Sequence, residues 1–293
     1  MARADSMFAW YYLILASSVL NGFATLVEKR ALKTHHATAF SAALTPLVAL
    51  ISLLLIPFAN FDMSGWQLLL IVAWSALNAY TYLLAARVFR HGELSASSAA
   101  FGSLPTLVVV VLAFMFLSEQ LSIVQYVGII GMIVATYMLF FRESGRSGHY
   151  FESGRYKYMV LFAVLVSGTA SVFNKYVITG IDPYAFLIVS SISMSVFFTA
   201  FISLRYKGIG EIVHTFRSYR LPISLGAVFT VGYRLTFYLA LILIPVSLAQ
   251  PLGNTFYVII TVAIGGLLFR EGDLARKFVL SAFLVFFAYL LVL

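Results

Sequence analysis

Ten stretches of this sequence are apolar over the length that is needed to cross a lipid bilayer. They lie at residues 8–28, 38–58, 66–88, 94–116, 122–141, 158–178, 184–204, 221–242, 247–269 and 277–293. A spanning helix needs about 20 apolar residues, and the bilayer core admits only helices or closed barrels. Because these segments are long and show almost no alternation of apolar and polar residues, they predict an all-α integral membrane protein.

The composition excludes a sizeable soluble domain. Of the 293 residues, 62% are hydrophobic and 10% are charged, whereas a soluble domain is about 45–50% apolar and 25% charged. The longest polar interruption, at 142–157, predicts a linker. With no cysteine, disulfides and thiolate metal sites are excluded, and we predict no cofactor and no metal site. The net charge of +8 reflects basic links between spans, which orient membrane proteins, so no nucleic-acid partner is predicted.

The two halves of the sequence resemble each other. NGFATLVEKRALKTHHATAF at 21–40 aligns without gaps with SGTASVFNKYVITGIDPYAF at 167–186. A second register, shifted by six residues, aligns Glu119 with Glu271 in the link before the last span of each half. Two registers in the same order indicate an internal duplication.

Each half then holds five spans, at 5–141 and 157–293, on either side of the linker. An odd number of spans places the second copy in the opposite orientation. The basic residues agree, because they follow spans 1 and 3 in the first half and spans 7 and 9 in the second. Inverted repeats are typical of secondary transporters, whose site lies near the membrane midplane. We therefore predict ten transmembrane helices in two inverted five-helix repeats around a central cavity, with both termini outside.

Polar side chains follow helical spacing in six spans, three in each half, and spans 5 and 10 are almost without them. Polar residues inside a membrane mark an interior or a pathway. We predict that the substrate is bound by Arg234, Tyr238, Tyr233, Gln250, Asn254, Tyr257, Asn78, Tyr82, Asn21 and Asn174. The asparagines are equally candidates for interhelical hydrogen bonds, and the tyrosines for core packing. Gly22, Gly102 and Gly168 are predicted to be close-packing positions.

Arg234 lies near the middle of its span. A cation there is unfavourable by about 2.5–3.5 kcal/mol even on the insertion scales. Its planar fork matches a carboxylate or phosphate with two parallel hydrogen bonds, so it is the main candidate for an anion site. The alternative is a structural pair with Glu28 or with the C-terminal end of a helix.

Three charged residues near span ends are candidates for the mouths of a pathway. They are Glu28 and Lys29 at the end of span 1 and Lys175 at the end of span 6. Both lysines could instead extend outward to the membrane surface. Apart from Glu28, no carboxylate lies inside a span, so the sequence gives little support to proton coupling.

The duplicated five-span unit resembles the EamA-type domains of the drug/metabolite transporter superfamily. The resemblance rests on the EK and NK pairs that end the first span of each half, and on the links LSEQLS and FREGDL before each fifth span. It implies a metabolite carrier that works by alternating access, with spans 1, 3, 4, 6, 8 and 9 around the cavity. Two departures are the non-basic link ANFDMSG and a charge bias opposite to the family's cytoplasmic termini.

The predicted function is secondary transport of a small anionic or zwitterionic metabolite, with an amino acid as the best match. The alternatives are an exporter of amphiphilic drugs, a flippase for lipid-linked substrates and a channel. No enzyme is predicted, because the five histidines fall in links or at span ends. We expect a multi-pass protein of a prokaryotic inner membrane, monomeric or homodimeric, with membrane lipid as its only other partner.

Overall fold

The computed structural model of the chain describes residues 2–32, 37–91, 94–144, 154–205, 209–269 and 273–293. Its α-helices are α1 (Ala2–Leu32), α2 (Ala37–Leu53), α3 (Gly65–His91), α4 (Leu94–Leu117), α5 (Ile123–Ser144), α6 (Gly154–Ile178), α7 (Pro183–Arg205), α8 (Ile209–Ser218), α9 (Arg220–Leu243), α10 (Val246–Phe269) and α11 (Leu274–Val292). Since the described residues contain helices and no strands, the predicted all-α class is confirmed. Most of the predicted linker at 142–157 lies outside the described residues, and so does Glu271 in the link before the last span.

Six of the described helices are long and apolar enough to cross a membrane. They are Ala9–Leu32, Gly65–Val88, Val160–Ile178, Pro183–Leu204, Arg220–Leu243 and Val246–Leu268. Three shorter apolar helices accompany them, at Ala39–Leu53, Leu104–Leu117 and Ile123–Met138. The chain is therefore a multi-pass membrane protein, and the count of ten spans stays a prediction.

Two local features differ from the predicted spans. The predicted span 38–58 is helical only to Leu53 and is followed by a short 3-10 turn at Ile56–Phe58. Pro57 explains the break, because it lacks an N–H and disfavours helical geometry in the residue before it. The second difference is α8, a ten-residue helix that packs on α2 inside a region read as a link.

The helices of the two halves pack against each other in matching pairs. α1 contacts α9 and α10, and its aligned partner α6 contacts α3 and α4. α2 packs on α7, α4 on α10, and α5 on α11. If each helix is exchanged for its aligned partner, the contacts of α1 become those of α6. The other three pairs already join aligned partners and stay the same.

Two aligned glycines allow close approach in two of these contacts. A Cβ at Gly22 would lie 2.6 Å from Cγ2 of Ile260 in α10, and one at Gly168 would lie 2.5 Å from Cβ of Val108 in α4. Ile260 and Val108 are themselves aligned in the second register. Both glycines are thus close-packing positions, as predicted, because any side chain there would separate the helices.

The pair α5 and α11 forms a separate layer. Gly128 and Gly131 lie against Phe287 of α11, while Ile130 and Phe283 are exposed. An exposed apolar face on a membrane helix suits contact with lipid. No described residue of these two helices lines the two chambers of the central cavity described below, although Thr136, Lys277 and Ser281 are buried polar residues within them.

Candidate functional site

A polar cavity lies among α1, α3, α6, α7, α9 and α10, and it has two chambers. The Tyr238 chamber has a volume of about 230 Å³ and is lined by Tyr238, Trp74 and Asn174 among others. The Glu28 chamber has a volume of about 270 Å³ and is lined by Glu28, Tyr82 and others. The walls that the chambers share include Asn21, Asn78, Tyr233, Arg234, Gln250 and Asn254.

Aligned helices run in opposite directions between the chambers. α1 passes from Ser17 in the Tyr238 chamber to Glu28 in the other, whereas α6 passes from Ser167 in the shared wall to Asn174 in the Tyr238 chamber. α3 and α9 are opposed in the same way. The two chambers therefore follow one another along the helix axes, with Arg234 at their junction.

All ten residues predicted to bind substrate line this cavity. The Tyr238 chamber is lined by Asn21, Asn78, Asn174, Tyr233, Arg234, Tyr238, Gln250 and Asn254. Tyr82 and Tyr257 line the Glu28 chamber. Their placement follows from helical spacing, which puts residues three, four or seven apart on one helix face.

Arg234 has no acidic partner among the described residues. Its Nε donates to the hydroxyl of Tyr233 at 3.4 Å, and its two terminal nitrogens lie 3.6 Å from Sδ of Met194. A phenol and a thioether are weak, uncharged acceptors. The alternative of a structural pair with Glu28 is therefore not supported, and the guanidinium stays available at the junction of the chambers.

An amide network occupies the α10 side of the cavity. Gln250 Nε2 donates to Asn254 Oδ1 at 2.9 Å, and Asn254 Nδ2 donates to Thr106 Oγ1 at 3.3 Å. Two buried atoms in the wall of the Tyr238 chamber have no partner in the described part of the chain: Oε1 of Gln250, an acceptor, and Nε1 of Trp74, a donor. Since buried polar atoms are nearly always hydrogen-bonded, these two are suited to bind a polar solute.

The Glu28 chamber carries an acid and several hydroxyls. Glu28 is buried, 8% exposed, and accepts a hydrogen bond from the hydroxyl of Tyr82. Its Oε1 has no hydrogen-bond partner in the described structure. Nearby, the hydroxyls of Thr25 and Tyr257 lie 3.1 Å apart. The chamber thus offers oxygen acceptors near Glu28, whereas Arg234 at its junction with the Tyr238 chamber offers hydrogen-bond donors.

The two candidate mouth lysines do not extend outward. Lys29 is 7% exposed. Lys175 is half-buried and donates to the carbonyl of Leu241 and, at 3.1 Å, to that of Ile244. These carbonyls end α9, where a cation is favourable because of the helix dipole. Lys175 therefore holds the end of α9 beside the Tyr238 chamber.

Glu119, which the sequence marked only as part of a link, supports the next helix. Its carboxylate accepts the backbone N–H groups of Val246 and Ser247 at 3.0 Å each, and the hydroxyl of Ser247 at 2.5 Å. It caps the N-terminus of α10 from another part of the chain. The sequence signal for this residue was the recurrence of a glutamate at Glu119 and Glu271, which does not show which helix the carboxylate contacts.

Comparison with known proteins fits this architecture. Residues 8–141 match a family model described as the EamA-like transporter family. The first half of the chain therefore belongs to the EamA-like transporter family. This confirms the sequence resemblance to the drug/metabolite transporter superfamily there and indicates a membrane transporter, while residues 142–293 lie outside the match.

Solved structures share the fold of this EamA-type transporter. Twenty-six solved chains match it, and one of them, a crystal structure described only as that of a protein, has a TM-score of 0.62 at 13% identity. The match covers 98% of this chain and 96% of the other. Among curated proteins there is no match. At such low identity the likeness shows the fold alone.

Proposed function

We propose that this transporter carries a small anionic or zwitterionic metabolite, with an amino acid as the best match, by alternating access. The observation that carries the proposal is Arg234, a permanent cation at the junction of two polar chambers with no acid among its described partners. A buried cation without a counter-charge is unfavourable. An anionic solute would supply that charge through two parallel hydrogen bonds.

The walls of the cavity support a small polar solute. Gln250 and Trp74 offer an acceptor and a donor that have no described partner. Tyr238 packs against Phe186 with ring centroids 5.1 Å apart, which gives an amphipathic wall. An amphiphilic drug or a lipid-linked substrate would leave these polar atoms without partners, so both fit less well.

Alternating access would use the duplication. We infer two inverted five-helix repeats, at 5–141 and 157–293, that together make ten spans. The matching helix pairs and the opposed directions of α1 and α6 support this arrangement. In such folds one repeat rocks against the other around a fixed central site.

The orientation follows from charge. Arg30 at the end of α1 and Arg220 at the start of α9 lie toward the Glu28 chamber. The positive-inside rule then places that chamber on the cytoplasmic side and both termini outside. We assign the protein to a prokaryotic inner membrane, as a monomer or homodimer.

Counterflow in proteoliposomes tests the proposal. The vesicles would be loaded with pooled unlabelled amino acids and small phosphorylated metabolites, and uptake of each labelled compound would be measured. We expect wild-type protein to accumulate an amino acid and Arg234→Gln to lose at least about 30-fold of that uptake, since truncating a buried charged contact costs about 2–5 kcal/mol.

The matched control is Arg87→Gln, the same change at an exposed arginine outside both chambers. It should transport like wild type. Equal uptake by the Arg234→Gln and wild-type proteins would contradict the proposal. Uptake without counterflow would indicate a channel, because only a carrier exchanges solutes through a shared site.

A further inference from the structure

The buried acid Glu28 has no role in anion binding and needs a separate account. It lies in the membrane-spanning helix α1, is 8% exposed, and lines the Glu28 chamber. One oxygen is hydrogen-bonded to Tyr82, and Oε1 is fully buried without a partner in the described structure.

The Glu28 chamber holds opposite charges that do not pair. Arg234 has Tyr233 and Met194 as its side-chain partners, and Glu28 has Tyr82. Opposite charges that share a chamber of about 270 Å³ without contact can both be satisfied by one solute between them. A solute with only a carboxylate would leave Glu28 buried and unpaired, which is unfavourable.

The packing of α1 against α9 keeps the two charges apart. Ser17 donates to the carbonyl of Tyr233, next to Arg234, at 2.8 Å. Glu28 lies eleven residues beyond Ser17 along α1. At a rise of 1.5 Å per residue, the backbone of Glu28 is therefore about 16 Å along the helix axis from the level of Tyr233 and Arg234. The long Arg234 side chain closes part of this distance, since it reaches the Glu28 chamber.

We infer that the cavity is a two-charge site, in which Arg234 binds the carboxylate of a zwitterion and Glu28 binds its ammonium group. Tyr82 orients Glu28 by donating to it, which leaves Oε1 to accept from the ammonium. The hydroxyls of Thr25 and Tyr257, 3.1 Å apart, complete an oxygen-lined end that suits an amine and disfavours an anion. This inference rests on the proposed function and narrows its substrate from anions in general to amines that carry a carboxylate.

The test compares each amine with its acylated form. Counterflow in proteoliposomes would use labelled glycine, leucine and lysine beside their N-acetyl derivatives, which keep the carboxylate and lose the ammonium. Wild type should prefer a free amino acid by about 10- to 100-fold, the factor for one charged hydrogen bond. Glu28→Gln, which keeps a hydrogen-bond acceptor for Tyr82, should bring the two forms to nearly equal uptake.

Two further variants separate charge from structure. Glu28→Asp should keep the preference, and Asp62→Asn, at an exposed acid in the link before α3, should change nothing. Should the Glu28 variants fail to fold, the wild-type comparison still decides, because equal uptake of the free and acylated forms would overturn the inference. That result would leave anion transport by Arg234 intact.

The remaining outcomes are also distinct. If Glu28→Gln lowers uptake of both forms alike and abolishes a proton flux that accompanies uptake, Glu28 carries a coupling proton and the inference is wrong. If wild type exchanges none of the amino acids, derivatives or phosphorylated metabolites, the proposed function itself fails and the inference fails with it.

Discussion

The two halves of the chain share their packing but differ in their charges. At the aligned close-packing positions both halves have glycine, and the facing residues, Ile260 and Val108, are both β-branched. At the aligned cavity positions, Glu28 corresponds to Asn174, and Arg234 corresponds to Tyr82. The contacts that hold helices together have therefore stayed equivalent while the charged positions have diverged.

This difference gives the cavity a direction. A site with equal charges in both halves would look alike from either side. Here the acid belongs to the first half and the cation to the second, and Tyr82 donates to Glu28 rather than supplying a second cation. We interpret the diverged positions as the ones that select the solute, and the equivalent positions as the ones that maintain the fold.

The largest expected effect comes from giving one half the residue of the other. Arg234→Tyr places the Tyr82 side chain at the aligned position and should reduce amino-acid counterflow at least about 30-fold, because the carboxylate loses its charged partner. Tyr82→Phe removes one hydroxyl and should reduce it by about tenfold. Equal losses in the two variants would show that the halves are not functionally different.

The second prediction, of intermediate size, is that alanine at the two aligned glycines destabilises the protein by different amounts. Gly168→Ala would meet the backbone carbonyl of Pro105 at 2.8 Å, whereas Gly22→Ala would meet only side-chain atoms of Ile260, Cγ2 at 2.6 Å and Cβ at 3.4 Å. We expect Gly168→Ala to destabilise the protein by about 1–3 kcal/mol and Gly22→Ala by less, because a side chain can move where a backbone cannot.

The measurement is thermal unfolding of purified protein in one detergent, followed by loss of monodisperse protein on size exclusion. Gly65→Ala is the control, since an added Cβ there would meet nothing within 4 Å. A larger loss of stability for Gly22→Ala than for Gly168→Ala would contradict this account of the packing.

The smallest effect concerns the glutamate in the link before each last span. Glu119→Gln should lower stability by about 0.5–2 kcal/mol, the usual range for loss of a helix cap, because the amide offers α10 a weaker acceptor. If the duplication extends to this position, Glu271→Gln should lower the free energy of unfolding by a similar amount, measured by thermal unfolding in the same detergent. If Glu271→Gln leaves the free energy of unfolding unchanged, the halves are equivalent only in their helices and not in this link.

Much of the fold was predictable from periodicity and length. The polar stripes of α1, α3, α9 and α10 place Asn21, Asn78, Arg234 and Asn254 in one cavity, as their spacing predicted. The end of α2 at Leu53 was missed, although Pro57 was visible, because an apolar run alone does not show where a helix stops. The helix α8 was missed because ten amphipathic residues are too short to span a bilayer.

Contacts between distant parts of the chain were not predictable. Nothing in the local sequence shows that Glu119 would cap α10, or that Lys175 would bind the end of α9, because each contact depends on how helices pack. For the same reason the sequence left open a pair between Glu28 and Arg234. Spacing along one helix assigns a residue to a face, but only the packing of several helices decides its partners.

The connection between α9 and α10 has a mechanical consequence. It is short, it contains Pro245, and it is held from both sides, since Lys175 binds the carbonyls that end α9 and Glu119 binds the amides that begin α10. Because both sides of the connection are hydrogen-bonded to other helices, it is expected to be rigid, so that a movement of α9 is passed on to α10. In the proposed alternating-access cycle, Arg234 on α9 and Asn254 on α10 would then move together as the two halves rock.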